Sequence, residues 1–250
     1  MRTPGEAKQV VKRLLESAVL TASEPDACPY LPDRIARSTG FRVEGHMDPA
    51  IYQTLMDHRF RRSGNIFYRP DCPRCTRCVP YRVRVDAFRP TRSMRRVRRR
   101  NADLRVEIGD GISSDRKHAL FTRYLAHQHD GSMDPDRAGF DRFLYDAPIP
   151  TIEFCYYLGR RLIGVSIADR CPAALSSVYM FFDPDFSARS PGTYSILWEI
   201  DYCRRLGIPY YYLGYYVRGC ASMAYKARFR PGAFLVSPEH WSPRNPDDPD

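Results

Sequence analysis

Lysine is scarce in this 250-residue chain, standing only at positions 8, 12, 117 and 226, so arginine carries nearly all of the excess of 39 Lys+Arg over 29 Asp+Glu and the formal charge of +10. No apolar run approaches the roughly 18 residues that a membrane span requires. Glu6, Lys8, Lys12 and Arg13 interrupt the N-terminus, which leaves no apolar core for a signal peptide. A soluble, cytoplasmic protein is therefore expected, and the missing export signal argues against a disulfide framework for the eight cysteines. The six histidines (46, 58, 118, 127, 129, 240) show neither metal nor triad spacing, and His127 and His129 read as solvated at a helix end. No internal repeat is present. With 43% hydrophobic and 27% charged residues, disorder of the whole chain is excluded.

What is abundant is arginine, which suits bidentate contacts to phosphate or carboxylate and stacking on bases. Nucleic acid is the first partner this implies and an acidic protein the second; a merely solvated basic surface is the plain alternative. Seven arginines crowd into residues 89–100, a run that could contact RNA phosphates or form a solvated linker, and a domain boundary is placed near it.

The hydrophobic pattern predicts helices over 5–20, from Asp48 (an N-cap followed by Pro49), over 115–129 and over 193–206. Strands are expected at 81–86, 151–158, 161–168, 177–182 and 210–216. In the last of these, strand alternation would put Tyr211, Leu213 and Tyr215 on one face and Tyr210, Tyr212, Gly214 and Tyr216 on the other. One face would be core, and the other could line an aminoacyl or adenosine pocket, where Gly214 would allow close backbone approach. The element order implies an α+β fold. It divides into an N-terminal α+β domain with the cysteines and the basic segment (1–100), a mixed α/β sheet domain (101–242) and a frayed tail (243–250).

Cys72, Cys75 and Cys78, with the remote Cys28, supply four thiols, enough for zinc or one iron–sulfur cluster. Redox-active thiols and a metal-free structural knot are the other two readings. Cys155, Cys171, Cys203 and Cys220 lie beside apolar or aromatic residues and read as small buried side chains. Arg61, Arg62 and Arg69 could grip a carboxylate, or pair with acidic neighbours in the fold.

Phe60-Arg61-Arg62-Ser63-Gly64, Tyr68-Arg69-Pro70, the cysteine run and Arg82-Val83 resemble the N-terminal region of the aminoacyl-tRNA–protein transferases. Cys28-Pro29-Tyr30-Leu31-Pro32, Ser93-Met94-Arg95-Arg96 and Asn101-Ala102-Asp103-Leu104 carry the same likeness. So do Phe182-Asp183-Pro184-Asp185, Tyr212-Leu213-Gly214-Tyr215, Met223-Ala224-Tyr225-Lys226, Arg230-Pro231 and Trp241, in collinear order over 26–242. Arg59 and Met94 depart from the family pattern, which favours glycine and glutamine there.

The resemblance implies an acetyltransferase-like second domain and transfer of leucine from leucyl-tRNA to proteins beginning with Asp or Glu, creating an N-end-rule degradation signal. Arginyl transfer to the same acceptors is one alternative, and a non-catalytic zinc-containing RNA-binding module is another. An aminoacyl ester is already activated, so holding the substrates in attack geometry is the main requirement, and no cofactor is needed for the chemistry. On this reading Arg61, Arg62, Arg69, Tyr212, Tyr215 and Lys226 bind substrate. Arg92, Arg95, Arg96, Arg98, Arg99 and Arg100 meet tRNA. Asp183, Glu153 and Tyr225 are the candidates for orienting the attacking amine.

Overall fold

The computed structural model describes residues 2–17, 19–128 and 136–246. His129 and the end of the predicted tail lie outside the described residues. The chain opens with helix α1 (Pro4–Glu16), set by a Thr3–Glu6 capping box, earlier to end than the predicted 5–20. Short strands β1 (Thr21–Ala22), β2 (Asp26–Ala27) and β3 (Ile35–Ala36) lead into β4 (Ser38–Arg42). Helix α2 (Pro49–Met56) starts where Asp48 and Pro49 predicted it, with the Asp48 carboxylate accepting from the Ala50 amide at 2.8 Å. Then come β5 (Arg61–Ser63), β6 (Ile66–Pro70) and β7 (Cys78–Arg84).

The arginine run forms a helix, α3 (Arg92–Arg100). Its Thr91 cap and the side chains of Met94 and Val97, three apart and turned inward, hold it to the core while the arginines stay outside. Met94 occupies the third helical position, where a capping box uses Glu or Gln, and its Sδ accepts from the Thr91 amide at 3.5 Å.

Strand β8 (Leu104–Asp110), helices α4 (Asp115–Gln128) and α5 (Arg137–Leu144), and strands β9 (Thr151–Leu158), β10 (Arg161–Cys171) and β11 (Ala174–Phe182) follow. A 3-10 helix (Pro184–Arg189) and helix α6 (Pro191–Arg205) connect β11 to β12 (Tyr210–Val217). A four-residue helix, α7 (Ala221–Ala224), precedes β13 (Gly232–Ser237) and β14 (His240–Ser242). Thus β12 is not the last strand, as the sequence pattern suggested.

The class is α+β, as expected. A four-stranded sheet has the order β1-β4-β6-β5, and an eight-stranded sheet the order β14-β13-β7-β12-β11-β10-β9-β8. Strand β7, which precedes the boundary placed near 100, lies inside the large sheet between β13 and β12. Helices α3 and α6 cover one face of that sheet, and α4 and α5 pack on the other through Phe121, Phe140 and Leu144. The small sheet and helices α1 and α2 share a core with Ala174 and Tyr212, which roots them on the large sheet.

A buried ion pair fastens the two sheets. Arg62 on β5 donates from Nε to Asp169 Oδ2 at 2.8 Å and from Nη2 to Oδ1 at 2.5 Å, with both side chains at 0% exposure. Arg62 also donates to the Gly64 carbonyl at 3.2 Å. The carboxylate-gripping role expected of Arg62 is thus filled from within the chain, because Asp169 already occupies its fork. Asp169→Ala would strand a buried guanidinium and should cost about 3–5 kcal/mol in urea unfolding. A loss below about 1 kcal/mol would show that the pair does not tie the sheets.

Candidate functional site: a splayed strand pair holding two buried cations

Every neighbouring pair in the large sheet is antiparallel except β11 and β12. These run parallel and stay in register for only three pairs, Ala174–Tyr210, Leu175–Tyr211 and Ser176–Tyr212. Beyond them β11 remains on β10 and β12 remains on β7, so the sheet opens between Ser177 and Gly214. Val178, Tyr179 and Met180 on the β11 side are half-buried, whereas Tyr211 to Tyr215 of β12 are buried.

Arg61 fills the foot of this opening. Its Nη1 donates to Ser176 Oγ at 2.8 Å and its Nη2 to the Ser177 carbonyl; Met56 Sδ lies 3.6 Å from Nη1. Gly214 has φ +80°, and a Cβ there would stand 3.7 Å from Arg61 Nη2. The positive φ belongs to a bulge: the β12–β7 register shifts between Tyr212 and Gly214.

That bulge corrects the predicted facing of the tyrosines. Tyr211 and Leu213 do share the α6 face, but after the bulge it is Tyr216 that joins their side by packing on Phe234. Tyr215 turns toward the first unit, where its hydroxyl donates to the Arg59 carbonyl at 2.6 Å. Arg59 itself has φ +72°, a left-handed conformation that glycine adopts without strain.

Lys226 stands beside Arg61. It is buried, and its Nζ donates to the Tyr215 carbonyl at 2.7 Å, with Met223 Sδ at 3.4 Å. Among the described residues neither cation has a carboxylate partner. Burial first, and then the Arg61 guanidinium, depress the Lys226 ammonium from 10.5 to about 7, with Cys220 and Cys78 acting in the opposite sense.

The other predicted substrate-binding residues are engaged elsewhere. The Tyr212 hydroxyl donates to Asp57 Oδ1 at 2.8 Å and accepts from Arg82 Nη1 at 2.9 Å, so it belongs to a clasp and not to an open pocket. Arg82 in that clasp is stacked 3.9 Å from the Tyr210 ring and 4.0 Å from Trp241. Arg69 lies 5.0 Å over the Phe60 ring.

Asp183 ends β11 at the lip of the opening, but it is buried against Arg161 at 2.5 Å and Arg123 at 3.0 Å and caps Asp185. Glu153 sits two strands from β11, on β9, bound by Lys117, by Tyr145 at 2.9 Å and by Cys155 at 3.2 Å. Neither carboxylate faces the opening as a free base. Tyr225 is half-buried next to Lys226, its phenol pushed up to about 12 by burial, Tyr124 and Glu199.

Of the thiols expected to hold a metal or cluster, Cys28, Cys72 and Cys75 lie close to Cys78. Burial and these three neighbours push the Cys78 thiol up to about 12. Cys72 Sγ donates to the Arg37 carbonyl at 3.4 Å. Among the described residues no group of three or more His, Cys, Asp or Glu side chains is arranged to hold a metal ion. Sequence reasoning missed Ser176 and Ser177, although two adjacent serines inside an apolar strand are a visible signal.

On α3, Arg92, Arg95, Arg96 and Arg99 form one exposed stripe at i, i+3, i+4 and i+7. Arg98 instead pairs with Asp201 at 2.6 Å, and Arg100 donates to the Ala188 carbonyl of the 3-10 helix that begins at the lip.

Residues 26–96 match the N-terminal family profile of the arginine-tRNA-protein transferases, and residues 116–236 match the C-terminal one. An aspartate/glutamate leucyltransferase of Stutzerimonas stutzeri (strain A1501) is 40% identical over 223 residues, covering 88% of this chain and 94% of the relative. One from Marinobacter nauticus (strain ATCC 700491 / DSM 11845 / VT8) is 37% identical over 235 residues, covering 93% and 99%. No helix among the described residues is long and apolar enough to cross a membrane.

Between pH 7 and 10.5 the unfolded chain keeps a proton on Lys226 that the folded chain has released, so stability rises with pH through that window. Below about pH 7 both states hold the proton and the contribution is flat. Lys226→Met should therefore show its largest stability advantage over the parent at about pH 6, shrinking by about 1 kcal/mol by about pH 8 in urea unfolding. A difference that does not change with pH would mean that Lys226 keeps its proton throughout.

Proposed function

The chain belongs to the arginine-tRNA-protein transferase family, and we propose that it moves leucine from leucyl-tRNA to the N-terminal amine of proteins that begin with Asp or Glu. The observation that carries the acceptor half is the pair of buried cations, Arg61 and Lys226, whose partners are all neutral. Burying a guanidinium without an anion is costly, and the same burial loosens the proton on the neighbouring Lys226. A ligand carboxylate at the foot of the opening would offset that cost and would leave the acceptor's α-amine above it, between the splayed strands. An uncharged Asn or Gln side chain would bring no such compensation.

The donor half is supported by the exposed arginine stripe of α3 and its contact with the 3-10 helix at the lip. RNA lying along that stripe would bring a 3′-terminal aminoacyl ester toward the opening. The reaction needs only a neutral amine, whose reference pKa of about 7.7–8 leaves a usable fraction at neutral pH, so positioning supplies most of the catalysis. The amine nitrogen attacks the ester carbonyl, an amide bond forms, the C–O bond to the tRNA 3′-oxygen breaks, and the proton lost by the amine ends on that oxygen, which leaves as the free 3′-hydroxyl. The product, with leucine in front of an acidic residue, would mark its protein for degradation by the N-end rule in the cytoplasm.

Incubation with a Glu-initiated peptide and tRNA charged with labelled leucine, or in parallel with labelled arginine, tests the reading directly. Leucine should transfer; no transfer of leucine would overturn it, and transfer of arginine alone would redefine the donor. Arg61→Lys should raise the KM for the Glu-initiated peptide by about 10-fold or more, since hydrogen bonds to charged groups contribute about 1.5–3 kcal/mol. An unchanged KM would remove Arg61 from the acceptor pocket. Combined Arg95→Ala, Arg96→Ala and Arg99→Ala should weaken tRNA binding and lower the slope of log K against log salt by roughly 2–3, at about 0.9 per lost phosphate contact. An unaltered slope would mean that this face does not meet RNA.

A further inference from the structure

Glu199 is a buried ionisable group that the transfer chemistry does not use. It lies on α6 at 0% exposure and is surrounded by donors: Ser166 Oγ at 2.6 Å, Tyr211 OH at 2.6 Å and Ser195 Oγ at 3.0 Å. Ser195 is one turn back on the same helix, but Ser166 belongs to β10 and Tyr211 to β12, the strands that flank β11 on its two sides. One carboxylate therefore reaches beneath β11 and fastens both of its neighbours to α6. It does so at the level where β11 and β12 separate, for Tyr211 is in register with Leu175 and the pairing ends one residue later.

The tie continues to the cation pocket. The Ser177 hydroxyl stands against the Tyr211 phenol, and the Ser177 carbonyl accepts from Arg61 Nη2. Glu199 also lies close enough to Tyr225 to raise its phenol, and Tyr225 adjoins Lys226. A group that only filled the core would be cheaper as an apolar residue, since burying a carboxylate costs several kcal/mol unless its hydrogen bonds are complete.

We infer that Glu199 is a positioning residue for acceptor recognition: through Tyr211 and Ser177 it fixes the width of the β11–β12 opening and the orientation of the Arg61 guanidinium. This rests on the reading of Arg61 as a contact for the acceptor carboxylate. It goes beyond that reading by assigning the pocket's geometry to a residue that touches no substrate. Its loss would act on acceptor KM, while the exposed arginines of α3, with which Glu199 shares no hydrogen bond, would keep their affinity for tRNA.

The test is a double-mutant cycle on steady-state leucyl transfer to a Glu-initiated peptide, with Tyr211→Phe and Arg61→Lys singly and together, and with tRNA affinity measured in parallel. Tyr211→Phe removes one hydroxyl and keeps the ring that packs in the core. It should raise acceptor KM about 3- to 10-fold and leave tRNA affinity within about twofold, as loss of one ordinary hydrogen bond implies. Coupled through Ser177, the two substitutions together should raise KM by at least about threefold less than the product of their separate effects. Glu199→Gln, which keeps shape and one acceptor oxygen, should move KM in the same direction as Tyr211→Phe; if it does not fold, the Tyr211 cycle decides alone. Multiplicative effects, or a Tyr211→Phe enzyme with unchanged KM or with equal losses in KM and tRNA affinity, would overturn the inference while the role of Arg61 stood. An Arg61→Lys enzyme with unchanged acceptor KM would overturn the acceptor reading of Arg61, and this inference with it.

Discussion

Two adjacent arginines on one short strand determine how the halves of this molecule meet. Side chains alternate along a strand, so Arg61 and Arg62 must leave β5 in opposite directions. Arg62 meets Asp169 on β10 in a closed, fully buried bidentate pair. Arg61 meets only two serines and a thioether at the point where β11 and β12 separate. The first arrangement is complete without a ligand, and the second is not. Since both guanidinium groups hang from the same backbone, the pair that is satisfied holds in place the one that is left open. The small sheet thereby supports Arg61 at the point where the large sheet opens.

The opening lies where β12, which arrives parallel to β11 through a crossover helix, turns away from it after three pairs. The bulge at Gly214 completes the separation, because it reverses the facing of the rest of β12 and directs Tyr215 to the first unit. The carbonyl of Tyr215 is then free to receive Lys226. Strand direction, bulge and lysine are thus three consequences of one local departure from a regular sheet. Lys226 shows its electrostatic effect: with a guanidinium beside it and no carboxylate, its charged form is disfavoured. An entering anion would reverse that preference.

Much of this was legible in the sequence where the signal is local. Asp48-Pro49 marks a helix start, the apolar and aromatic run ending before Gly159 marks β9 to the residue, and the ordered motifs from Cys28 to Trp241 point to the family. The arginine run was harder, because its helical content rests on Met94 and Val97, two apolar side chains among seven charged ones. What stayed hidden depends on partners remote in the chain. Nothing between Phe60 and Gly64 tells Arg61 from Arg62, since their partners lie 115 and 107 residues away. The tyrosine run misled for a related reason: strict alternation gives the wrong facing after Gly214, because one bulged residue shifts the phase for all that follow. The lesser strands β13 and β14 become strands by pairing at the sheet edge, which short apolar runs do not announce.

The positive excess of the sequence therefore divides by partner, not by position. Arg92, Arg95, Arg96 and Arg99 remain in water, where a polyanion can exchange for their counterions at little desolvation cost. Arg62, Arg98 and Arg189 are matched by Asp169, Asp201 and Asp103 and contribute cohesion. Arg61 alone among these is both buried and unmatched by an anion, and it has Lys226 for a neighbour. A net charge gives all of them equal weight, yet their electrostatic consequences differ in kind. Solvated arginines respond to ionic strength, paired ones to the loss of their carboxylate, and the buried unmatched pair to the arrival of one. For that reason ionic strength acts on the two groups unequally: salt screens the solvated arginines of α3 strongly and reaches the buried Arg61 only weakly, since its low-dielectric surroundings shield it.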